Sequence, residues 1–202
     1  SGYLTGNLQS GSWLAKLFAS PKNCGGVLAT GFLGGYPIGA KLTAQQFRSG
    51  SLSKEQSDRL IMFCSQAGPS FLFGITAAQL GDARLAWLLW AVIVFSALSV
   101  AWLIPGISDD QTMTGQSKNV TLTEAMNTSL RAMAAVCGWV VIFSVLISFL
   151  NDWFLRLLPN ELQVLVCGLL ELTNGCLMLS EIPSIALRFL WAALMLNFGG
   201  FC

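Results

Sequence analysis

Cys64-Ser-Gln-Ala-Gly-Pro-Ser70 sets polar and helix-breaking residues inside a stretch, 60–81, that is otherwise apolar. Pro69 has no backbone N–H, so the Ser65 carbonyl loses its intrahelical donor, and Gly68 is pushed out of α geometry by the proline after it. A bilayer interior holds no water to satisfy such freed groups. Interrupted helices survive there only where protein covers them or a wet cavity adjoins them. Two further runs share this character: Gly31-Phe-Leu-Gly-Gly-Tyr-Pro-Ile-Gly39 and Leu170-Glu-Leu-Thr-Asn-Gly175. Broken segments in both halves of one apolar chain point to a transporter-type binding site.

The composition demands a membrane. Of 202 residues, 54% are hydrophobic and 10% charged, with a mean hydropathy of +0.64. Soluble domains carry about 25% charged residues. Leu85 to Ile104 is a run of 20 residues without a charge, and a helix of that length covers roughly 30 Å, the thickness of the hydrocarbon core. Met133 to Leu150 is equally uncharged. A net charge of +1 gives no footprint for nucleic acid. The absence of histidine excludes Ser-His and Cys-His catalysis and every His-ligated metal. With no carboxylate pair in a span either, neither an enzyme nor a metal site is expected. The six cysteines, Cys24, Cys64, Cys137, Cys167, Cys176 and Cys202, form no CxxC pair and read as apolar filler. No signal peptide is evident, and Ser1-Gly2 without a methionine suggests a trimmed or processed start.

The chain divides at its long polar linker, 105–130. Residues 1–104 then form a first repeat: a hairpin over 24–40, an interrupted span over 60–81 and a span over 85–104. Residues 131–202 form a second: a span over 133–150, a hairpin over 162–180 and a span over 184–202. Six glycines and Pro37 make 24–40 a re-entrant hairpin whose half-helices meet near Gly34 and Gly35, or else a Gly-rich ordinary span with close helix packing. Trp13 to Phe18 is weakly amphipathic and suits the interface. Between hairpin and span, Thr43-x-x-Gln46 and Ser53-x-x-Gln56 fit capping boxes, with Ser49-Gly50 as the break between two short surface helices. Thr121-x-x-Glu124 is a third such box. The fold class expected is an all-α membrane protein, an inverted repeat of re-entrant hairpin plus interrupted transmembrane helix, with additional spanning helices.

Glu171 is the sharpest single residue, because a charged side chain at the bilayer centre costs about 3 kcal/mol on insertion scales. Asn174 lies one helical turn on, with Thr173 between them. Together they suit a polar solute or small cation, or else Glu171 is tied to a neighbouring helix. Ser65, Gln66 and Ser70 add hydroxyl and amide groups at the break marked by Gly68 and Pro69, which is either a binding feature or a packing kink. Tyr36, beside Gly34, Gly35 and Pro37, either stacks on a base or anchors at the interface. Asn197, with Gly199 and Gly200, is the weakest candidate, and Gly175 marks the end of the Glu171 run.

These residues carry a resemblance. Gly34-Gly-Tyr-Pro-Ile-Gly-Ala-Lys41, the polar loop after it and Phe63-Cys-Ser-Gln-Ala-Gly-Pro-Ser-Phe-Leu-Phe-Gly74 resemble the first half of the YlbJ-type sporulation integral membrane proteins. Gly168-Leu-Leu-Glu-Leu-Thr-Asn-Gly175 and Asn197-Phe-Gly-Gly200 resemble the second half. That family belongs to the nucleoside-recognition, or gate-domain, group, with spore maturation proteins and portions of nucleoside and ferrous-iron transporters. The resemblance implies a multi-pass protein of the bacterial cytoplasmic membrane. It implies a transporter or channel-like role, with a small, nucleoside-like polar solute bound at mid-membrane between the repeats. Glu171, Thr173 and Asn174 would sit on the second hairpin, and Ser65, Gln66 and Ser70 on the first unwound helix. No cofactor is called for beyond a coupling cation, Na+ or H+. The chain lacks the scaffold helices of the nucleoside carriers, which implies a homo-oligomer or a partner membrane subunit. The alternative function is a non-transporting membrane module that assembles with other proteins, for example in sporulation.

Orientation follows from positive charge. With the 41–59 loop inside, Lys16, Lys22, Lys41, Arg48, Lys54, Arg59, Lys118 and Arg131 lie on inner segments and Arg84, Arg156 and Arg188 on outer ones. An alkaline phosphatase reporter inserted after Leu52 is therefore expected to be inactive, and one inserted after Leu155 active; the reverse pattern would overturn this orientation.

Overall fold

A computed structural model describes residues 12–18, 20, 24–104 and 122–199. The linker residues 105–121, including Asp109, Asp110, Lys118 and Thr121 of the third capping box, lie outside the described residues, as do Ser1, Gly2, Gly200 and Cys202. Among the described residues the chain is all-helical. The longer α-helices among them are, in order, α1 Ser12–Leu17, α2 Gly25–Gly34, α3 Ile38–Arg48, α4 Lys54–Cys64, α5 Ala83–Leu103, α6 Leu122–Trp153, α7 Asn160–Leu170, α8 Leu172–Met178 and α9 Ile185–Phe198. Between α4 and α5 the chain winds through Pro69–Phe71, a π-helical turn Leu72–Thr76 and Ala77–Leu80. Three stretches are long and apolar enough to cross a membrane: Lys54–Leu80, Ala83–Leu103 and Met126–Trp153. The residues form two compact units, 1–69 with 94–128, and 70–93 with 129–202.

In the first unit α2 and α3 form a helical hairpin that runs from Gly25 to Arg48, past the end of the hairpin expected over 24–40. Its turn is Gly35-Tyr36-Pro37, and Gly35 sits at φ +64, the left-handed region open to glycine. The arms cross at glycines: a Cβ on Gly31 would lie 2.6 Å from the Cys64 carbonyl oxygen and 3.3 Å from the Gly39 Cα. Helix α3 runs on to Arg48, so Thr43 lies inside a helix rather than capping one. The capping box expected at Thr43 and Gln46 is thus corrected: Pro37 precedes the helix, and the Thr43 hydroxyl donates back to the Gly39 carbonyl at 2.9 Å. The second box is present. Ser53 Oγ accepts from the Gln56 N–H, and Gln56 Oε1 accepts from the Ser53 N–H.

Helix α4 stops at Cys64, four residues ahead of the Gly68-Pro69 pair, and residues 65–68 are non-helical. Helix resumes at Pro69, where a missing N–H is harmless because a first-turn N–H has no intrahelical partner. The unwound backbone packs straight onto the hairpin turn. A Cβ on Gly68 would stand 3.1 Å from both the Cα and N of Gly35, and one on Gly35 would collide with the Gly68 nitrogen. Below this contact lies a core of Phe18, Leu28, Leu52, Leu60, Phe63, Ala97 and Ala101, with the Phe18 and Phe63 rings stacked at 5.4 Å. Arg59 is buried at 4% exposure. Its guanidinium donates to the carbonyls of Phe18, Ala101 and Ile104 and to Ser20 Oγ. It thus places a positive charge at the C-terminal ends of α1 and α5, where free carbonyls and the helix dipole favour one.

The second unit repeats the hairpin device with different chemistry. Helices α7 and α8 fold back on each other at Glu171, which is extended at φ −142, ψ 115. A Cβ on Gly168 would stand 3.3 Å from the Gly175 Cα and would strike the Met195 sulfur of α9. Gly175 is equally hemmed in by Gly168. Arg188 of α9 donates to the Ile182 carbonyl and, at 3.4 Å, to that of Gln79.

Helix α6 extends well beyond the expected span of 133–150, beginning at Leu122 and ending at Trp153. Its early turns take in the end of the expected linker, and in the first unit Lys41 Nζ donates to the Thr128 carbonyl at 3.1 Å.

Filling these contacts overpacks them, at about 1–3 kcal/mol per site. Gly68→Ala and Gly168→Ala are each expected to lower the unfolding temperature of the detergent-solubilised protein. Gly138→Ala, in α6 with open space around its Cβ, is expected to leave it unchanged or raise it, because alanine favours helix over glycine.

Candidate functional site

The unwound 65–68 stretch presents Ser65 half-buried and Gln66 buried at 9% exposure. Gln66 Oε1 is buried without a hydrogen-bond partner. Ser70 is exposed, one residue into the resumed helix, and Tyr36 is exposed at the hairpin turn beside Pro37, which is exposed too. The first unit therefore gathers Ser65, Gln66, Gly68, Gly34 and Gly35 about one backbone crossing. In the second unit Asn197 is exposed near the end of α9, its side-chain amide donating to the Ala193 carbonyl at 2.7 Å, and Gly199 closes the helix at φ +85.

Glu171 is 1% exposed. Its carboxyl group turns back on its own chain, Oε1 accepting from the Thr173 N–H at 2.9 Å and Oε2 from the Asn174 N–H at 2.6 Å. It is the N-cap of α8, satisfying two of the donors that every helix start leaves open. Thr173 contributes its backbone to that cap. Asn174, fixed by the same interaction, sends its side chain the other way and donates from Nδ2 to Ser144 Oγ of α6 at 2.8 Å. Ser144 in turn donates to the Val140 carbonyl at 2.8 Å.

That pair forms one end of a cavity of about 260 Å³ within the second unit. Helix α6 lines it with Ser144, Ile147, Ser148 and Asn151, α7 with Gln163 and Cys167, and α8 with Asn174, Leu177 and Met178. At the other end, Gln163 Nε2 donates to Asn151 Oδ1 at 2.7 Å. Asn174 is the one expected site residue that lines this cavity; Glu171 and Thr173 support it from behind. Ser144, Ser148, Asn151 and Gln163 were not anticipated, although a signal exists. Ser144, Ser148 and Asn151 recur at helical spacing on one face of a span whose neighbours Trp139, Val141, Ile142, Val145, Leu146 and Phe149 are exposed and apolar. Among the described residues no group of three or more His, Cys, Asp or Glu side chains is placed to hold a metal ion.

No protein-family profile matches the chain, and no solved structure matches it. The sequence is similar to the sporulation integral membrane protein YlbJ of Bacillus subtilis (strain 168). The two are 25% identical over 232 aligned residues, taking in 94% of this chain and 57% of that protein. The chain thus spans little more than half the length of the curated relative it matches.

Losing the cap leaves two buried donors unmatched, at about 2 kcal/mol. Glu171→Ala is expected to lower thermal stability by about that much and Glu171→Gln by roughly half, since the amide keeps one acceptor oxygen. Equal stability of all three proteins would contradict the capping role. The likeness and the three apolar stretches long enough to cross a bilayer lead to one conclusion: the chain is a multi-pass bacterial membrane protein, similar in sequence to YlbJ.

Proposed function

We propose that the chain binds a small polar, nucleoside-like solute within the membrane, as part of a transporter or channel-like protein. The observation that carries this reading is the cavity between α6, α7 and α8. Its two ends are hydrogen-bonded polar pairs, Asn174 with Ser144 and Gln163 with Asn151, on helices whose other faces are apolar. Polar side chains in a membrane span are costly and mark solute or ion pathways. A dry assembly surface, the alternative role, gives no reason for such a cavity.

Each unit also contains a hairpin with arms crossing at paired glycines, Gly31 with Gly39 and Gly168 with Gly175. In each, a residue of a further helix lies on that crossing, Cys64 in one and Met195 in the other, and an amide and a glycine follow it: Gln66 and Gly68, Asn197 and Gly199. This parallel supports the gate-domain and inverted-repeat reading. Coupling to Na+ or H+ is part of the same proposal. The unpartnered Gln66 Oε1 and the Ser65 carbonyl freed by Pro69 are oxygen ligands of the kind a hard cation takes. By its likeness to a sporulation protein, we place the role in spore formation.

A solute that binds only the folded state stabilises it by about 2.7 kcal/mol at a hundred times Kd. In nanodiscs, uridine or a related uncharged solute is expected to raise the unfolding temperature saturably, and Asn174→Ala is expected to abolish the rise. A flat response across ribose, uracil and uridine, with and without Na+, would sink the proposal.

A further inference from the structure

We infer that the cavity in the second unit selects its solute by electrical neutrality. It takes an uncharged molecule with hydrogen-bonding groups at two ends, and rejects the phosphorylated or carboxylated form of that molecule. This rests on the reading of the cavity as a solute site. Its polar lining is neutral throughout, made of amides at Asn151, Gln163 and Asn174 and hydroxyls at Ser144 and Ser148. An amide offers both a donor and an acceptor, so each end can match either kind of group on a neutral solute. Between the ends the wall is apolar at Ile147, Leu177 and Met178, with the Ser148 hydroxyl and the Cys167 thiol among them.

The charges of this unit that make described contacts are engaged elsewhere. Asp152 pairs with Arg156 at 3.1 Å, Glu171 caps its own helix, and Arg188 donates to backbone carbonyls. Among the described residues no charged side chain lines the cavity. An ion entering it would lose hydration and gain no opposite charge, a penalty that a neutral solute escapes. Glu171, the one acid in the expected site, therefore acts as a positioning residue: its cap orients Asn174 toward the cavity, and its carboxyl group makes no direct contact with the ligand.

Equilibrium binding to the chain in nanodiscs, with matched probes, tests this directly. The pairs are uracil with orotate, uridine with uridine monophosphate, and ribose with ribose 5-phosphate. At least one neutral member is expected to bind at least tenfold more tightly than its charged partner, with binding lost in Asn174→Ala. If a charged partner binds equally or better and Asn174→Ala still abolishes it, the cavity is a solute site and neutrality is wrong. If neither member of any pair binds the folded protein, the solute-site reading falls and the inference with it.

Discussion

The peptide groups of residues 65–68 leave the helix inside a stretch that must cross a bilayer, and no lipid can satisfy them. Their cover is other backbone. Gly68 lies against Gly35, and the last helical carbonyl before the break, that of Cys64, lies over Gly31 and Gly39. A single Cβ at any of these positions would hold the two segments apart. The glycines are therefore requirements of contact, while the left-handed turn at Gly35 is a requirement of conformation at the same point. With the backbone closed on itself in this way, α4 ends early and the hairpin has a fixed partner.

The second unit meets a similar demand with a side chain. Where the hairpin between α7 and α8 turns, the open N–H groups of α8 are met by the carboxyl oxygens of Glu171. This explains a buried acid in an apolar segment without assigning it a ligand. It also sets the direction of Asn174, whose backbone is held by the cap while its amide reaches Ser144. Close packing at Gly168 and Gly175 and polar chemistry at Asn174 thus belong to one hairpin, so packing and the placing of that amide are not independent there.

Much of the architecture was legible in the residues. Leu85 to Ile104 was an uninterrupted apolar run and is nearly coincident with α5. The turn at Gly35-Tyr36-Pro37 falls close to the meeting point expected at Gly34 and Gly35, because Gly35 takes a positive φ that few other residues tolerate. Two features were misjudged for physical reasons. Thr43 satisfies a capping pattern, but Pro37 starts the helix earlier and leaves the hydroxyl to bond back to Gly39. Helix α6 outruns its apolar core because helix does not require hydrophobicity: Leu122 to Ala132 hold no glycine or proline to stop it. The cavity was hidden for another reason. Asn151 and Gln163 read separately as connection and hairpin residues, and only the fold brings their amides to 2.7 Å.

The central claim is that apolar helices of the second unit line a cleft carrying polar side chains that water and a polar solute can reach. Neighbouring positions on α6 separate that claim from its opposite. Ser148 lines the cavity, whereas Phe149 is exposed and apolar. Spin labels placed at each in turn, in bilayers, report whether a polar nickel chelate or molecular oxygen reaches them. The account predicts that the chelate relaxes the label at position 148 and that oxygen dominates at 149. Oxygen-dominated relaxation at both positions would contradict it.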